Sequence, residues 1–330
     1  MNVAIIGAGL IGKKRVLALP KNVNLTIVCD VDKKKANILA GEFGCESEYD
    51  WKKIITNPQI HAIIISTTNK YLSIIGEAAV LAGKHILVEK PGARNPKELE
   101  KISKAYRKRK VVVMFGFNHR YHPAIVQAKN IIDSNKYGNV MFIRARYGHG
   151  GRLGYEKEWR FDKKIAGGGE LLDQGSHLID LVNFFCGKMD NVIGVTSRFY
   201  WRSQLEDSAF FILSNKTGQV AHLSATCCEW NNIFSLEIML QKAKIQVDGL
   251  GRSYGREKLI VYKRRPEMGP TEAEEILFDE KDESFEIENN LFFQRIREKK
   301  YSTESIEDAL YVLRIIEKLY KKNLLNGNIN

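Results

Sequence analysis

A chain of 330 residues is longer than one hydrophobic core usually supports, so two domains are expected. Hydrophobic residues at 44%, with 10% aromatics, are ordinary for a globular protein, and no segment approaches the roughly 20 consecutive apolar residues of a membrane-spanning helix. The net charge of +12 is spread over separate basic runs at residues 33–35, 107–110 and 263–265, which argues for a solvated surface that attracts small anions, and against nucleic acid as a partner.

From residue 2 to about 120 the chain repeats one unit: a short apolar run, a turn, then an amphipathic stretch of helix length. The apolar runs are 3–7, 25–29, 62–66, 85–88 and 111–115, and segments such as 74–84 and 97–109 carry apolar positions three and four apart. This rhythm predicts a parallel α/β domain whose strands are covered by helices on both faces. Within it, Gly7-Ala8-Gly9-Leu10-Ile11-Gly12 follows a strand and opens a helix, the context that makes such a fingerprint informative. Gly7 suits the tight turn, Gly9 the approach of a pyrophosphate to the backbone, and Gly12 close helix–strand packing. Leu10 and Ile11 open the helix whose N-terminal amides and dipole would meet the phosphates. Asp30 ends the second apolar run at the distance expected of a ribose-binding carboxylate. A carboxylate there repels a 2′-phosphate, so NAD is the expected cofactor; the lysines at 33–35 keep NADP as the alternative.

After residue 120 the pattern changes. A helix is expected over 123–134, then longer alternating strands at 139–146, 192–200, 208–215, 219–226, 234–240 and 244–247, the signature of a mostly antiparallel sheet with one face open to solvent or a partner. A polar, Gly-rich segment and a helix over 170–185 lie between the first two strands. A last helix over 303–323 is capped by Ser302 or Thr303. The expected organisation is an N-terminal Rossmann domain, residues 1–120, and an α+β domain, residues 121–330, for substrate binding and oligomerisation. Cys29, Cys45, Cys186, Cys227 and Cys228 are odd in number and lack Cys-x-x-Cys spacing, which speaks against a disulfide framework or structural zinc. Strand sequence directly after Met1 leaves no room for a secretory signal, so a cytoplasmic location is expected.

At Glu89-Lys90-Pro91 the chain begins to resemble the Gfo/Idh/MocA oxidoreductases, the family of glucose-fructose oxidoreductase and inositol dehydrogenase. Gly116-Phe117-Asn118-His119-Arg120 with Pro123 is similar to that family's domain junction, and Gly167-Gly168-Gly169, Asp173, Gly175 and His177 to its second-domain active-site motif. The loop after the fourth strand departs from the pattern: Thr67-Thr68-Asn69 stands where the family reads Thr-Pro-Asn, and Leu72 replaces a His. The resemblance implies cofactor contacts from Thr67, Asn69, Glu89 and Lys90, acid–base and substrate-orienting work for Lys90, Asp173 and His177, and dimers or tetramers. Oxidising a secondary alcohol needs a base within hydrogen-bond reach while hydride leaves carbon. Lys90 follows a parallel strand at the end where such sheets bind ligands. Asp173 and His177, four apart in one expected helix, would emerge on one face. Which of Lys90 and His177 is the principal base stays open.

The segment carrying Arg152, Tyr155, Trp159 and Arg160 has the composition expected of a nucleotide-sugar site, with Arg for phosphate and aromatics for stacking; Asn118 and Arg120 are further candidate substrate contacts. The expected activity is hydride transfer between nicotinamide and a secondary hydroxyl of a sugar, anionic and carried on a nucleotide. A dehydrogenase of free inositol or another polyol is the first alternative, and a non-catalytic cofactor-sensing module the second. His119 and His122 lack Cys or carboxylates in ligand spacing, and no metal is expected.

Overall fold

The apolar runs of the N-terminal half become strands buried along most of their length. We describe the protein from a computed structural model covering residues 1–325 apart from Met268 and Glu280. The chain forms two compact units.

In the first unit the elements alternate: β1 (Asn2–Ile6), α1 (Leu10–Leu17), β2 (Asn24–Cys29), α2 (Lys33–Phe43), β3 (Glu46–Glu48), α3 (Trp51–Thr56), β4 (Ala62–Ile65), α4 (Asn69–Leu81), β5 (His85–Glu89), α5 (Pro96–Tyr106) and β6 (Val113–Gly116). The strands are parallel, in the order β3-β2-β1-β4-β5-β6. Strand order reverses between β1 and β4, and ligands of such sheets bind beyond the carboxyl ends of the strands at that point. β4 is buried at every position, as its Ala-Ile-Ile-Ile sequence requires of a strand covered on both faces. Local chemistry sets the helix ends. The Asp32 carboxylate accepts from Lys34 N and Lys35 N to start α2, and Asn95 caps α5 ahead of Pro96.

The second unit contains α6 (Pro123–Asp133), β7 (Val140–Gly148), most of the segment leading to the short α7 (Lys163–Ala166), then α8 (Glu170–Asp173), α9 (Gly175–Cys186), β8 (Asn191–Ser197), β9 (Ser208–Ser214), β10 (Val220–Thr226), β11 (Ile233–Leu240), β12 (Ala243–Asp248), β13 (Glu257–Lys263) and β14 (Glu272–Phe278). They form one sheet, β14-β13-β12-β11-β7-β10-β9-β8, antiparallel except where β7 meets β10. Alternate residues of β11 and β12 are buried, the period of two expected of a sheet with one covered face. Between the buried positions of β8 and β9, the cross-strand pairs Ile193–Ile212 and Val195–Phe210 leave all four side chains more than a third exposed.

Two helices end the described residues, α10 (Ser284–Arg297) and α11 (Glu304–Leu325). Residues 164–167 and 285–313 belong to the first unit. Phe292 and Phe293 of α10 are buried in one core with Val3, Ile5, Val28 and Ile64. Strands β13 and β14 and helix α10 had no sequence expectation. β14, with sequence Glu-Ala-Glu-Glu-Ile-Leu-Phe, is an exposed edge strand without a buried alternation to reveal it. Cys227 and Cys228 lie just past the end of β10. No helix among the described residues is long and apolar enough to cross a membrane.

Candidate active site

The glycine fingerprint gives each glycine a distinct steric duty. Gly7 has φ +108°, and a Cβ there would sit 2.4 Å from Ser66 O. A Cβ on Gly12 would come within 1.9 Å of Gly7 O, so only glycine lets α1 pack this close to the turn. At Gly9 a Cβ would meet no protein atom within 4 Å, which leaves that backbone open to a ligand. Gly9 caps α1 without any side-chain acceptor, so the first-turn amides keep their capacity for an anion. Leu10 and Val31 beside this turn are 76% and 83% exposed, apolar surface that a bound nucleotide would cover. Asp30 Oδ2 accepts from Ala8 N at 2.8 Å and Oδ1 from Asp32 N at 2.9 Å, fixing the carboxylate beside the glycine turn. These residues fit a dinucleotide.

Thr67 and Asn69 follow β4. The buried Asn69 side chain donates to Ala166 O at 3.0 Å, which ties residues 164–167 into the first unit, and Arg94 Nη1 holds the same segment through Lys164 O at 2.5 Å. Glu89 ends β5 and Lys90, half-buried, is the first residue past it. Glu89 is engaged by a residue that the sequence did not single out. Arg15 on α1 is fully buried; its Nε donates to Glu89 Oε1 at 2.6 Å, Nη2 to Glu288 Oε2 at 2.6 Å and Nη1 to Asn289 Oδ1 at 3.0 Å. Burial works against the Arg15 charge, but Glu89 and Glu288 outweigh it and raise its pKa. A Cβ on Gly116 would lie 2.6 Å from Arg15 Nη2, which accounts for the glycine that opens the Gly116–Arg120 motif.

In the second unit, Asp173 and His177 do not share one helix. α8 ends on Asp173 and α9 begins at Gly175, with Gln174 between them. Ser176 Oγ donates to Asp173 O at 3.0 Å and His177 N to Gln174 O at 3.1 Å, so a tight junction, not a continuous helical face, places the two residues one turn apart. The start of α8 is anchored by Glu206, whose Oε1 accepts from Gly169 N at 3.0 Å, Leu171 N at 3.3 Å and Tyr320 Oη–H at 2.6 Å. Burial pushes the Glu206 carboxyl up despite these bonds. A Cβ on Gly169 would sit 2.0 Å from Glu206 O and one on Gly168 2.3 Å from Tyr320 Oη, so two glycines of the triplet serve this anchor.

His177 is 4% exposed, and its ring lies 6.0 Å from the edge-on ring of Tyr147. Burial, the adjoining Tyr254 and the Asp173 and Glu170 carboxylates drive the Tyr147 phenol well above its ordinary pKa, so it stays a neutral hydroxyl. Gln174 Nε2 donates to Tyr254 Oη at 3.4 Å, linking this pair back to the α8–α9 junction. Tyr147, Tyr254, Gln174 and Glu206 carried no motif signal; only the fold reveals them.

The expected substrate residues are mostly engaged within the unit. Asn118 Nδ2 donates to Ser284 Oγ at 3.0 Å, and Arg120 holds Asp180 through Nε–Oδ2 at 2.8 Å and Nη2–Oδ1 at 2.5 Å. Arg160 Nε donates to Asp173 Oδ2 at 3.2 Å, its Nη1 to Glu158 Oε2 at 3.3 Å, and its guanidinium lies over the Trp159 ring. Burial alone would lower the Arg160 pKa; Asp173, Tyr155 and Glu158 raise it. Arg152 Nη2 reaches Glu158 Oε1 at 2.6 Å. Tyr155 corrects the stacking expectation: it is 2% exposed, enclosed by Phe161, Trp201 and His149, because its ring completes an aromatic core under the loop.

A family model described as an oxidoreductase family with an NAD-binding Rossmann fold matches residues 1–117, and one described as a GFO/IDH/MocA C-terminal domain matches residues 125–246. A levoglucosan dehydrogenase of Pseudarthrobacter phenanthrenivorans is 34% identical over 210 residues, 60% of this chain and 54% of that protein. A glucose-6-phosphate 3-dehydrogenase of Bacillus subtilis is 31% identical over 186 residues, 54% and 52% of the two chains, and an inositol 2-dehydrogenase of Salmonella typhimurium 28% over 153 residues, 44% and 46%. The chain thus spans about half the length of these curated relatives. A solved levoglucosan dehydrogenase in complex with NADH superposes with TM-score 0.90 at 25% identity, covering 99% of this chain and 98% of that one.

Proposed function

Because the chain belongs to the GFO/IDH/MocA oxidoreductase family, with an NAD-binding Rossmann fold at its N-terminus, we propose that it is an NAD-dependent dehydrogenase oxidising a secondary hydroxyl of a compact sugar or polyol. The observation that carries this reading is the buried His177 imidazole one tight turn from Asp173, whose charge is met by Arg160. NAD, when bound, supplies the hydride acceptor. Gly9 and the amides of Leu10, Ile11 and Gly12 would hold the pyrophosphate, and Asp30 the ribose hydroxyls. Either Lys90 or His177 takes the single hydroxyl proton as base, and Asp173 orients the substrate and steadies the positive charge that forms.

The engagement of Arg152 and Arg160 by Glu158 and Asp173, with Tyr155 enclosed, favours a substrate of pyranose or cyclitol size over a nucleotide sugar. The relatives named for levoglucosan, inositol and glucose 6-phosphate support the same size class. The test is turnover of the purified full chain with NAD against levoglucosan, inositols, glucose 6-phosphate and UDP-glucose, followed by nicotinamide absorbance. Reduction of NAD by the compact sugars is expected; turnover confined to UDP-glucose overturns the size assignment. The exposed Ile193, Val195, Phe210 and Ile212 are the surface we assign to a second copy of the chain. Val195→Asp with Ile212→Asp should then lower the mass seen by sedimentation, and an unchanged mass removes the assignment.

A further inference from the structure

His119 and His177 come from different elements, the turn Asn118–Tyr121 and the first turns of α9, yet their rings lie face to face. The centroids are 3.6 Å apart, the planes are inclined by 20°, and the residues are 6% and 4% exposed. The stack is built into the unit. Asn118 Oδ1 lies 3.3 Å from His119 Nδ1; Asn118 is held by Ser284 Oγ, which donates to Asp282 Oδ1 at 2.7 Å. Tyr147 stands edge-on to both rings, and Phe234 edge-on to His119.

The N–H groups and lone pairs of imidazole lie in the ring plane, so stacked rings cannot exchange a hydrogen bond; what they share is charge. Two imidazolium ions at this separation, shielded from water, repel strongly. The surrounding groups do not cancel that repulsion evenly. Tyr147, with Tyr254 at 4.8 Å from it, faces the pair as a neutral phenol. Asp173 is matched by Arg160, and Asp180 of α9 by Arg120 beside His119. His122, edge-on to His119 at 5.6 Å, brings Glu257 Oε2 at 3.4 Å and Asp282 Oδ1 at 3.8 Å from its own Nδ1.

We propose that His119 is a positioning residue for His177, the two stacked rings titrating as one coupled pair in which the first proton bound disfavours the second. Proton uptake by His177, the event assigned to it above, then depends on His119; the inference rests on that reading only for its effect on the rate. Histidine-labelled full-length protein, titrated by NMR, tests the pair directly. In the wild type both rings should report the same two midpoints, split by more than about one pH unit. In His119→Phe, which keeps a stacked ring, His177 should titrate in one step, and His119→Gln should do the same. A single step for wild-type His177 with the midpoint found in either variant overturns the pairing. The acid limb of kcat/KM should follow the upper NMR midpoint. If the coupling is present but the limb ignores it, the pair stands and the acid–base role of His177 fails.

Discussion

Replacing Arg15 with Met would strip Glu89 and Glu288 of the guanidinium that both carboxylates share, without opening a large cavity. Arg15 is 0% exposed, its side chain lies 4.7 Å from the Phe285 ring, and Glu288 is also 0% exposed, so water cannot substitute for the lost charge. Removing one partner of a buried ion pair costs about 3–5 kcal/mol, and here two acids lose theirs, so the upper end of that range is expected at pH 7. Protons can replace the guanidinium. In the variant, folding would favour the protonated acids, so the loss relative to wild type should shrink as pH falls from 7 towards 5. Hydrogen exchange of the β1 and β5 amides under native conditions reads the stability of the first unit without assuming that both units unfold together. Adding Glu288→Gln should recover roughly 1–2 kcal/mol by removing one orphaned charge. A loss below about 1 kcal/mol at pH 7, or one that is the same at pH 5, would refute this account of the network.

Lys90→Met and His177→Gln should each lower kcat by about 100-fold or more while NAD still binds, as calorimetry would show; wild-type turnover in Lys90→Met removes its assigned role. Asp30→Ala should weaken NAD and narrow its advantage over NADP, read as the ratio of the two KM values, since the carboxylate that disfavours a 2′-phosphate is gone. His85 Nδ1 accepts from Val112 N at 2.9 Å and burial lowers the pKa of the ring, so its contribution to stability is complete above about pH 6.5 and is lost as pH falls through the lower folded-state value. Stability curves of wild type and His85→Asn should therefore converge between pH 7 and 5; parallel curves would count against it.

The parts of this protein that sequence reveals are those whose physics is local. The β-branched strands and the strand–turn–helix at the glycine fingerprint follow from residue types at short spacing, and they form as that spacing predicts. What the sequence hid depends on distant partners. Arg15 looks like one more basic residue on α1 until Glu288 arrives from 273 positions along the chain. Asp173 and His177 have helical spacing, and the break at Gln174 that separates their helices sits in a stretch without Pro. Tyr155 has the composition of a ligand platform and the environment of a core residue, a difference that only the positions of Phe161 and Trp201 decide.

The late arrival of α10 also sets an order of events during synthesis. At about 5–20 residues per second, the 273 residues between Arg15 and Glu288 take a ribosome roughly 15–55 seconds to add. From Gly116 onward the nascent first unit has all its sheet residues but lacks Phe292 and Phe293 for its core and a second acid for Arg15. A nascent chain in this state leaves that apolar surface uncovered until α10 has been added.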